Sequence, residues 1–114
     1  MMQKVYRLRR RSSFDVIYRR GKSFADANLV LLVLEGKLPM PKVGFVVGKK
    51  VGKAVVRNKV KRRLREIFRE MIPSVEGHTS YVVVARSRSA ESTYGELRQS
   101  LVSLLVKADK LHRS

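Results

Sequence analysis

The feature that most constrains the fold is a long amphipathic segment that begins near Ala54 and runs to about Ile72. Its apolar residues recur at the 3.6-residue period of an α-helix, and Pro73 marks where the helix must end. These apolar residues are Val56, Val60, Leu64, Ile67, Phe68 and Met71. Because a single helix cannot bury such a stripe by itself, the rest of the chain must supply an apolar surface for it.

The predicted helix has a one-signed charged flank next to its apolar stripe. In angular order that flank holds Arg57, Lys61, Arg65, Asn58, Arg69 and Arg62, with no acid among them. The acids Glu66 and Glu70 fall on the other flank beside Lys59 and Arg63, and Arg62 or Arg63 can pair with Glu66. Mixed signs would serve solubility equally well, whereas like charges four residues apart destabilise a helix. We therefore predict that the basic flank binds an anionic partner.

The whole chain has the same charge imbalance. Its 114 residues include 26 Lys and Arg against 9 Asp and Glu, a formal net charge of +17. Nucleic acid is the expected partner, because counterion release rewards clustered Lys and Arg. An anionic membrane surface is the rival, although it favours one long amphipathic helix over a mixed fold. A disordered basic tail is excluded, because 44% of the residues are hydrophobic.

Several classes of protein are excluded by what the sequence lacks. It has no cysteine, and hence no disulfide, thiolate metal site or cysteine nucleophile. The longest apolar run, Leu29 to Leu34, is far short of the ~20 residues that span a bilayer. The first residues lack the apolar stretch of a secretory signal. We expect a cytoplasmic protein.

Shorter signals predict the remaining elements of one domain over residues 1–114. A basic arm, residues 1–11, precedes a first helix with Ser12 as N-cap, Asp15 as its capping-box partner and Gly21 at its end. Strands are predicted near residues 22–25, 28–35, 43–47 and 80–85. A last helix follows the capping-box spacing of Thr93 and Glu96. We expect that helix to bury Tyr94, Leu97, Leu101, Leu104, Leu105 and Ala108.

Residues that could perform catalysis are sparse. A protein phosphodiesterase usually needs clustered carboxylates for metal ions, or a histidine pair. The acids are scattered, and His78 and His112 have no visible partner. Gly48–Ala54 is a poor match to a P-loop, because its glycines have the wrong spacing and Ala54 replaces the metal-binding hydroxyl. The sequence therefore predicts no catalytic residue and no metal ligand in the protein itself.

Residues 49–66 form a long basic run that contains Arg57-Asn58-Lys59. This run resembles the signature of the bacterial ribonuclease P protein family, whose hallmark is Arg-Asn-Arg; lysine keeps the charge but lacks the planar fork. Residues 14–21, 43–47 and 81–86 are similar to the family's aromatic first helix, central strand and late strand. The resemblance implies an α+β fold, a two-layer α/β sandwich of αβββαβα topology. Its four-stranded sheet would contain a left-handed βαβ crossover around the basic helix.

Proteins of this family assist a catalytic RNA that removes the 5′ leader of precursor transfer RNA. The resemblance implies that the basic helix and the loop before it bind this RNA through Lys49, Lys50, Lys53, Arg57, Asn58, Lys59, Lys61, Arg62, Arg65 and Arg69. It also implies a cleft between the first helix and the sheet that holds the single-stranded leader, lined by Phe14, Tyr18 and Arg86. Leu32 occupies a position where relatives often have an aromatic residue, so one stacking surface is absent here.

The resemblance further implies that the catalytic Mg²⁺ is held by the RNA and that one protein binds each RNA, without a membrane. Two alternatives stay open. Core packing is the other possible role of Phe14 and Tyr18. A general RNA chaperone or a ribosomal-type RNA-binding protein would share the charge and the fold class without a dedicated catalytic RNA.

Overall fold

The computed structural model describes residues 6–112, which form three α-helices and four strands. The helices are α1 (Arg11–Arg20), α2 (Ala54–Met71) and α3 (Tyr94–Lys107). The strands are β1 (Lys22–Ala25), β2 (Leu29–Glu35), β3 (Lys42–Val47) and β4 (Thr79–Ala85). Short 3₁₀ turns occur at Lys49–Val51, Ile72–Ser74 and Ser87–Glu91. The element order is αβββαβα, so the predicted mixed α+β fold is confirmed.

The four strands form one sheet in the order β1-β2-β4-β3. β1, β2 and β4 are antiparallel neighbours, whereas β3 and β4 run parallel. α2 connects β3 to β4, because two parallel strands need a crossover that returns the chain to the same end of the sheet. The segment Tyr81–Val84 of the interior strand β4 is apolar on both of its faces, as a strand covered on both sides requires.

One face of the sheet packs against α2 and α3 and contains most of the buried core. The strands contribute Leu29, Leu31, Val33, Val43, Tyr81, Val83 and Ala85. The helices contribute Val60, Leu64, Ile67, Phe68, Met71, Leu97, Leu101, Leu104 and Leu105. Burial of a leucine such as Leu64 stabilises a fold by about 1.5–3 kcal/mol. The predicted stripe of α2 is therefore confirmed, except that Val56 is only half-buried.

α1 packs on the opposite face, where it adds a partial third layer to the sheet and the α2–α3 layer. Its Ile17 is buried in a small cluster with Leu32 and Val82. The ring of Phe14 lies over Gly44, where an added Cβ atom would come within 2.3 Å of the ring. Only glycine lets the ring approach the strand so closely.

The ends of α1 differ from the prediction. The helix begins at Arg11 because the carbonyl of Arg10 already accepts hydrogen bonds from two later amides, and no side chain caps it. The predicted capping box of Ser12 and Asp15 is therefore wrong. Gly21 does end the helix, but in an extended conformation. Glycine is required there because a Cβ atom would come within 2.5 Å of the Ile17 carbonyl oxygen.

The segment before α1 runs along the outer edge of β3. Arg7 pairs in parallel with Val43, and the amide of Leu8 donates to the Val43 carbonyl at 2.9 Å. This part of the predicted basic arm is therefore bound to the sheet, and Arg11 belongs to α1. Residues 1–5 of the predicted arm lie outside the described residues.

The start of α3 confirms the predicted capping box. The Thr93 hydroxyl accepts from the Glu96 amide at 3.1 Å, and the Glu96 carboxylate accepts from the Thr93 amide at 2.9 Å. The predicted burial of Tyr94 is wrong, because Tyr94, the first residue of α3, is 37% exposed. Ala108 follows the helix as its C-cap and is half-buried.

Candidate nucleic-acid interface

The basic flank of α2 is accessible to a partner. Of the ten residues predicted to bind RNA, Lys49, Lys50, Lys53, Asn58, Lys59, Arg62 and Arg69 are exposed. Arg57, Lys61 and Arg65 are half-buried. Long cationic side chains often pack their aliphatic stems while the charged head stays in water. All ten positions are therefore open to contact.

Packing of α2 sets its basic flank beside the outer edge of β3. Phe68 contacts Phe45 of β3 edge-on, with ring centroids 6.2 Å apart, and Tyr81 of β4 at 5.5 Å. Phe68 lies at the boundary between the apolar stripe and the basic flank, two turns from Lys61 and three turns from Arg57. The contact with Phe45 therefore turns these two cations toward the edge strand.

Guanidinium groups are crowded at this edge. The Nε atoms of Arg7 and Arg57 are buried, and neither has a hydrogen-bond partner within residues 6–112. Burial, and then the charge of Arg7, lowers the pKa of the Arg65 guanidinium. Like charges held together on a folded surface favour an anion between them. Arg7 thus extends the predicted surface from α2 to the arm.

The opposite flank of α2 is used inside the protein. Arg63 donates to the Ser92 carbonyl at 3.1 Å and so ties α2 to the turn before α3. Glu66 pairs with Arg69 at 3.0 Å, which differs from the predicted pairing with Arg62 or Arg63. The carboxylate of Glu66 offsets part of the charge that Arg69 can offer to a partner.

The loop before α2 brings three lysines to the helix N-terminus. Gly52 has φ +151°, a conformation that favours glycine. It joins the 3₁₀ turn that contains Lys49 and Lys50 to the N-cap, Lys53, which makes no side-chain cap. The positive end of the helix dipole adds to these charges. The predicted loop residues are thus gathered at one end of the basic flank.

A strip of valines crosses the other face of the sheet beside α1. Val30 pairs with Val84, and Val84 pairs with Val46, so the three side chains lie side by side on β2, β4 and β3. All three are half-buried. The neighbouring row, Leu32, Val82 and Gly44, lies under α1. We call the uncovered row Val30-Val84-Val46 the valine strip.

Phe14 and Tyr18 lie on the flank of α1 that faces the valine strip, where the cleft is predicted. Val16 lies on one flank of α1 and lines a cavity with Leu34 and Ser80, at the other end of these strands. At 100° per residue, Phe14 and Tyr18 project from the opposite flank. Tyr18 is 48% exposed, whereas Phe14 is half-buried over β3. Both rings therefore border the strip, and Tyr18 is the more accessible one.

The polar groups next to the predicted cleft are those of Tyr18 and Arg86. Partial burial, and then Asp15, raises the pKa of Tyr18, so its hydroxyl stays protonated and can donate. Arg86 follows Val84 by two residues, just beyond the end of β4; it is exposed beside the strip and donates to the Asp26 carbonyl at 3.0 Å. Leu32 is 7% exposed and lies in the covered row.

Within residues 6–112, no three His, Asp or Glu side chains form a group that could hold a metal ion. The prediction that neither histidine has a partner is wrong. His78 Nδ1 lies 2.6 Å from the Leu38 carbonyl, and His112 Nε2 lies 3.0 Å from the Glu76 carboxylate. Both histidines hold loop segments together.

Sequence reasoning missed Arg7 and the valine strip. Arg7 was one of many arginines in the arm, and only its pairing with Val43 places it beside Arg65. The strip depends on the register between three strands, which alternation of apolar residues in each strand cannot supply. The only available signal was the apolar character of both faces of β2 and β4.

Together these features define a small basic α+β domain with two surfaces suited to a nucleic acid, one on each side of β3. Among residues 6–112 no helix is long and apolar enough to span a membrane. The family model of ribonuclease P matches residues 2–109. The chain belongs to the ribonuclease P protein family.

Individual relatives agree with this assignment. The chain is 40% identical to the ribonuclease P protein component of a Geobacillus strain, over 98% of this chain and 97% of the relative. The solved ribonuclease P protein of Staphylococcus aureus is similar, with a TM-score of 0.88, 31% identity and coverage of 96% and 100%. That of Thermotoga maritima gives a TM-score of 0.81, 34% identity and coverage of 89% and 96%.

Proposed function

We propose that this protein binds the catalytic RNA of ribonuclease P through the basic flank of α2, and the 5′ leader of precursor transfer RNA in the cleft beside α1. The observation that carries the proposal is the position of β3. The cations of α2 border β3 on one face of the sheet, and Phe14 covers Gly44 of β3 on the other. One RNA complex can therefore contact both surfaces around a single sheet edge.

The basic flank supplies affinity without reading sequence. Arg57, Lys61 and Arg65 recur every four residues and carry no competing acid, so they can follow a row of phosphates. Arg7 adds a fourth cation next to Arg65. We infer that one protein binds each RNA, because the surface is continuous and borders one strand.

The cleft supplies selectivity for an unpaired strand. Bases stack on aromatic rings only when they are free of a duplex, and each stacked base contributes about 1–3 kcal/mol. Phe14 and Tyr18 offer two such rings, and the valine strip offers an apolar floor. Arg86 lies beside the strip, just beyond the end of β4, where it can meet a phosphate.

In this proposal the chemistry belongs to the RNA, which would hold the catalytic Mg²⁺. The protein neutralises phosphates and grips the leader, so less Mg²⁺ is needed for the two RNAs to approach. It is therefore a subunit of an endoribonuclease without catalytic residues of its own.

Cleavage of a precursor transfer RNA at low Mg²⁺, by a ribonuclease P RNA with and without this protein, tests the proposal. We expect the protein to restore cleavage at the mature 5′ end and to cut nothing when the RNA is absent. An RNA-free preparation that still cleaved there would contradict the division of labour. Equal stimulation of an unrelated ribozyme would instead favour a general RNA chaperone.

A further inference from the structure

The cavity lined by Val16, Leu34 and Ser80 lies on the flank of α1 that faces away from the valine strip. Its volume is about 680 Å³, within the range of roughly 300–1,000 Å³ typical of small-molecule sites. The segment before α1, the first turns of α1 and the ends of β2, β3 and β4 line it. We call it the arm cavity. It shares neither Phe14 nor Tyr18 with the cleft.

The charged lining of the arm cavity has one sign. Arg9 and Arg10 contribute charge from the arm and Lys42 from the start of β3, and no described residue that lines the cavity is acidic. An anion in the cavity would offset the like charges of Arg9, Arg10 and Lys42.

The N-terminus of α1 opens on the same cavity. Arg10 is the N-cap, no side chain caps the helix, and its first turn contains no acid. Ser12 and Ser13 of that turn line the cavity. Helix amides and the positive end of the dipole therefore join the arginines in favouring a negative group, as they do at phosphate sites.

The remaining lining is apolar, and this narrows the class of anion. Val16, Leu34 and Leu38 form part of the wall. An inorganic ion would leave these side chains unused, whereas a nucleobase can lie on them or against an arginine plane. A phosphate would pair with the guanidinium groups, and serine hydroxyls would meet the sugar.

We propose that the arm cavity binds one 5′-phosphorylated nucleotide, either free or as a unit of single-stranded RNA. The site is separate from the cleft and from the basic flank of α2. Its test needs only the protein, so its failure would leave the proposed function in ribonuclease P standing.

The first experiment is an NMR titration of the isolated protein with uridine 5′-monophosphate, uridine and inorganic phosphate. We expect the monophosphate to shift resonances of residues 7–16, 34, 38 and 80 and to saturate them. Uridine and inorganic phosphate should each bind at least about tenfold more weakly than the monophosphate. A tenfold loss is the equivalent of losing one charge-assisted hydrogen bond. Monophosphate shifts confined to α2, or equal binding of inorganic phosphate, would overturn the proposal.

Two variants of equal charge separate a built site from bulk attraction. Arg9→Ala with Arg10→Ala should weaken binding of the monophosphate about tenfold. Arg88→Ala with Arg98→Ala removes the same charge from exposed positions outside the cavity lining and should change the affinity by about twofold at most. Circular dichroism checks that both fold. Equal losses in the two variants would overturn the proposal.

A five-nucleotide single-stranded RNA with a 5′-phosphate distinguishes the two sources of the nucleotide. Tighter binding than the monophosphate, lost in the Arg9 and Arg10 variant, would assign the site to an RNA strand. Equal affinities for the two ligands would assign it to a free nucleotide. An oligonucleotide that leaves residues 7–16 unshifted while the monophosphate shifts them would also assign a free nucleotide.

Discussion

The two faces of the sheet are built differently. Under α2 and α3 lies a large buried cluster. Three of its members, Leu64, Phe68 and Tyr81, have no exposed surface. Under α1 the buried cluster is only Ile17, Leu32 and Val82, and half-buried valines extend beside it. The same strands contribute alternate residues to both faces.

This difference assigns stability and recognition to opposite faces. The α2–α3 face contains the packing that holds the chain folded, so changes there cost stability. The α1 face leaves apolar and aromatic surface partly open, which a fold would not retain for stability alone. The basic flank of α2 is the exception, because it is a contact surface on a helix that belongs to the α2–α3 face.

The largest expected effect is on stability, from a change on the α2–α3 face. Leu64→Ala should lower the free energy of unfolding by about 2–5 kcal/mol, because it leaves a cavity in a packed core. Val84→Ala, in the half-buried strip, should cost about 1 kcal/mol, since it removes less buried surface. Urea denaturation of both variants measures the contrast. Equal costs would show that the two faces do not differ in this way.

The next largest effect is on binding of the substrate, from changes on the α1 face. Tyr18→Ala and Phe14→Ala, assembled with the RNA, should weaken binding of precursor transfer RNA by about 1–3 kcal/mol, or roughly 5- to 150-fold. Binding of mature transfer RNA should not change, because the mature product has no leader. Filter binding of the two ligands gives the ratio.

A backbone variant sharpens this test. Gly44→Ala places a Cβ atom where the Phe14 ring lies, so the ring must move, at a cost of about 1–3 kcal/mol in stability. Its leader binding should resemble that of Phe14→Ala, and combining the two changes should add little.

If a folded Phe14→Ala protein lost precursor and mature product equally, the cleft would have no role in leader binding.

A smaller effect is expected from single cations of α2. Arg57→Ala and Arg65→Ala should keep the fold and reduce the salt dependence of binding to the catalytic RNA by about one counterion per lost phosphate contact. Arg63→Ala is the matched control, because Arg63 donates to the Ser92 carbonyl inside the protein. It should lower stability and leave the salt slope unchanged.

The smallest expected effect is the contribution of the ion pair between Glu35 and Lys110 to stability. The hydrogen bond from Lys110, and then its charge, holds the pKa of Glu35 below its ordinary value of 4.5. The pair therefore contributes stability above pH 4.5, and this contribution is lost as the pH falls through the lower folded-state pKa. Glu35→Gln should remove that acid-dependent component from unfolding curves. A variant with the same acid profile as the parent would show that the pair contributes nothing measurable.

The sequence predicted α2 well because one period runs through its apolar stripe from Val60 to Met71, and any folded solution must bury that stripe. It predicted the start of α1 poorly, because Ser12 has the chemistry of a cap but the Arg10 carbonyl already accepts the first helical bonds. Local propensity does not report where the preceding segment enters a helix.

The candidate surfaces were predictable only where they lie on one element. Arg57, Lys61 and Arg65 are neighbours on α2 in any fold that keeps the helix. The valine strip joins Val30 with Val84, and the arm joins Arg7 with Val43, through pairings set by tertiary structure. Tyr94 has the same helical period as the buried Leu97 and Leu101, yet it is the first residue of α3 and is exposed, which periodicity alone does not predict.

The edges of the sheet have a consequence for how free copies of this protein behave. The arm pairs with β3 near Val43 only, so among residues 6–112 no strand pairs with the outer side of Phe45–Val47, and β1 forms the other edge. Unpaired strand edges are templates for aggregation. Mutual repulsion between chains of net charge +17 opposes such contacts. The charge that favours RNA therefore also keeps the unassembled protein dispersed, and concentrated salt should weaken this protection.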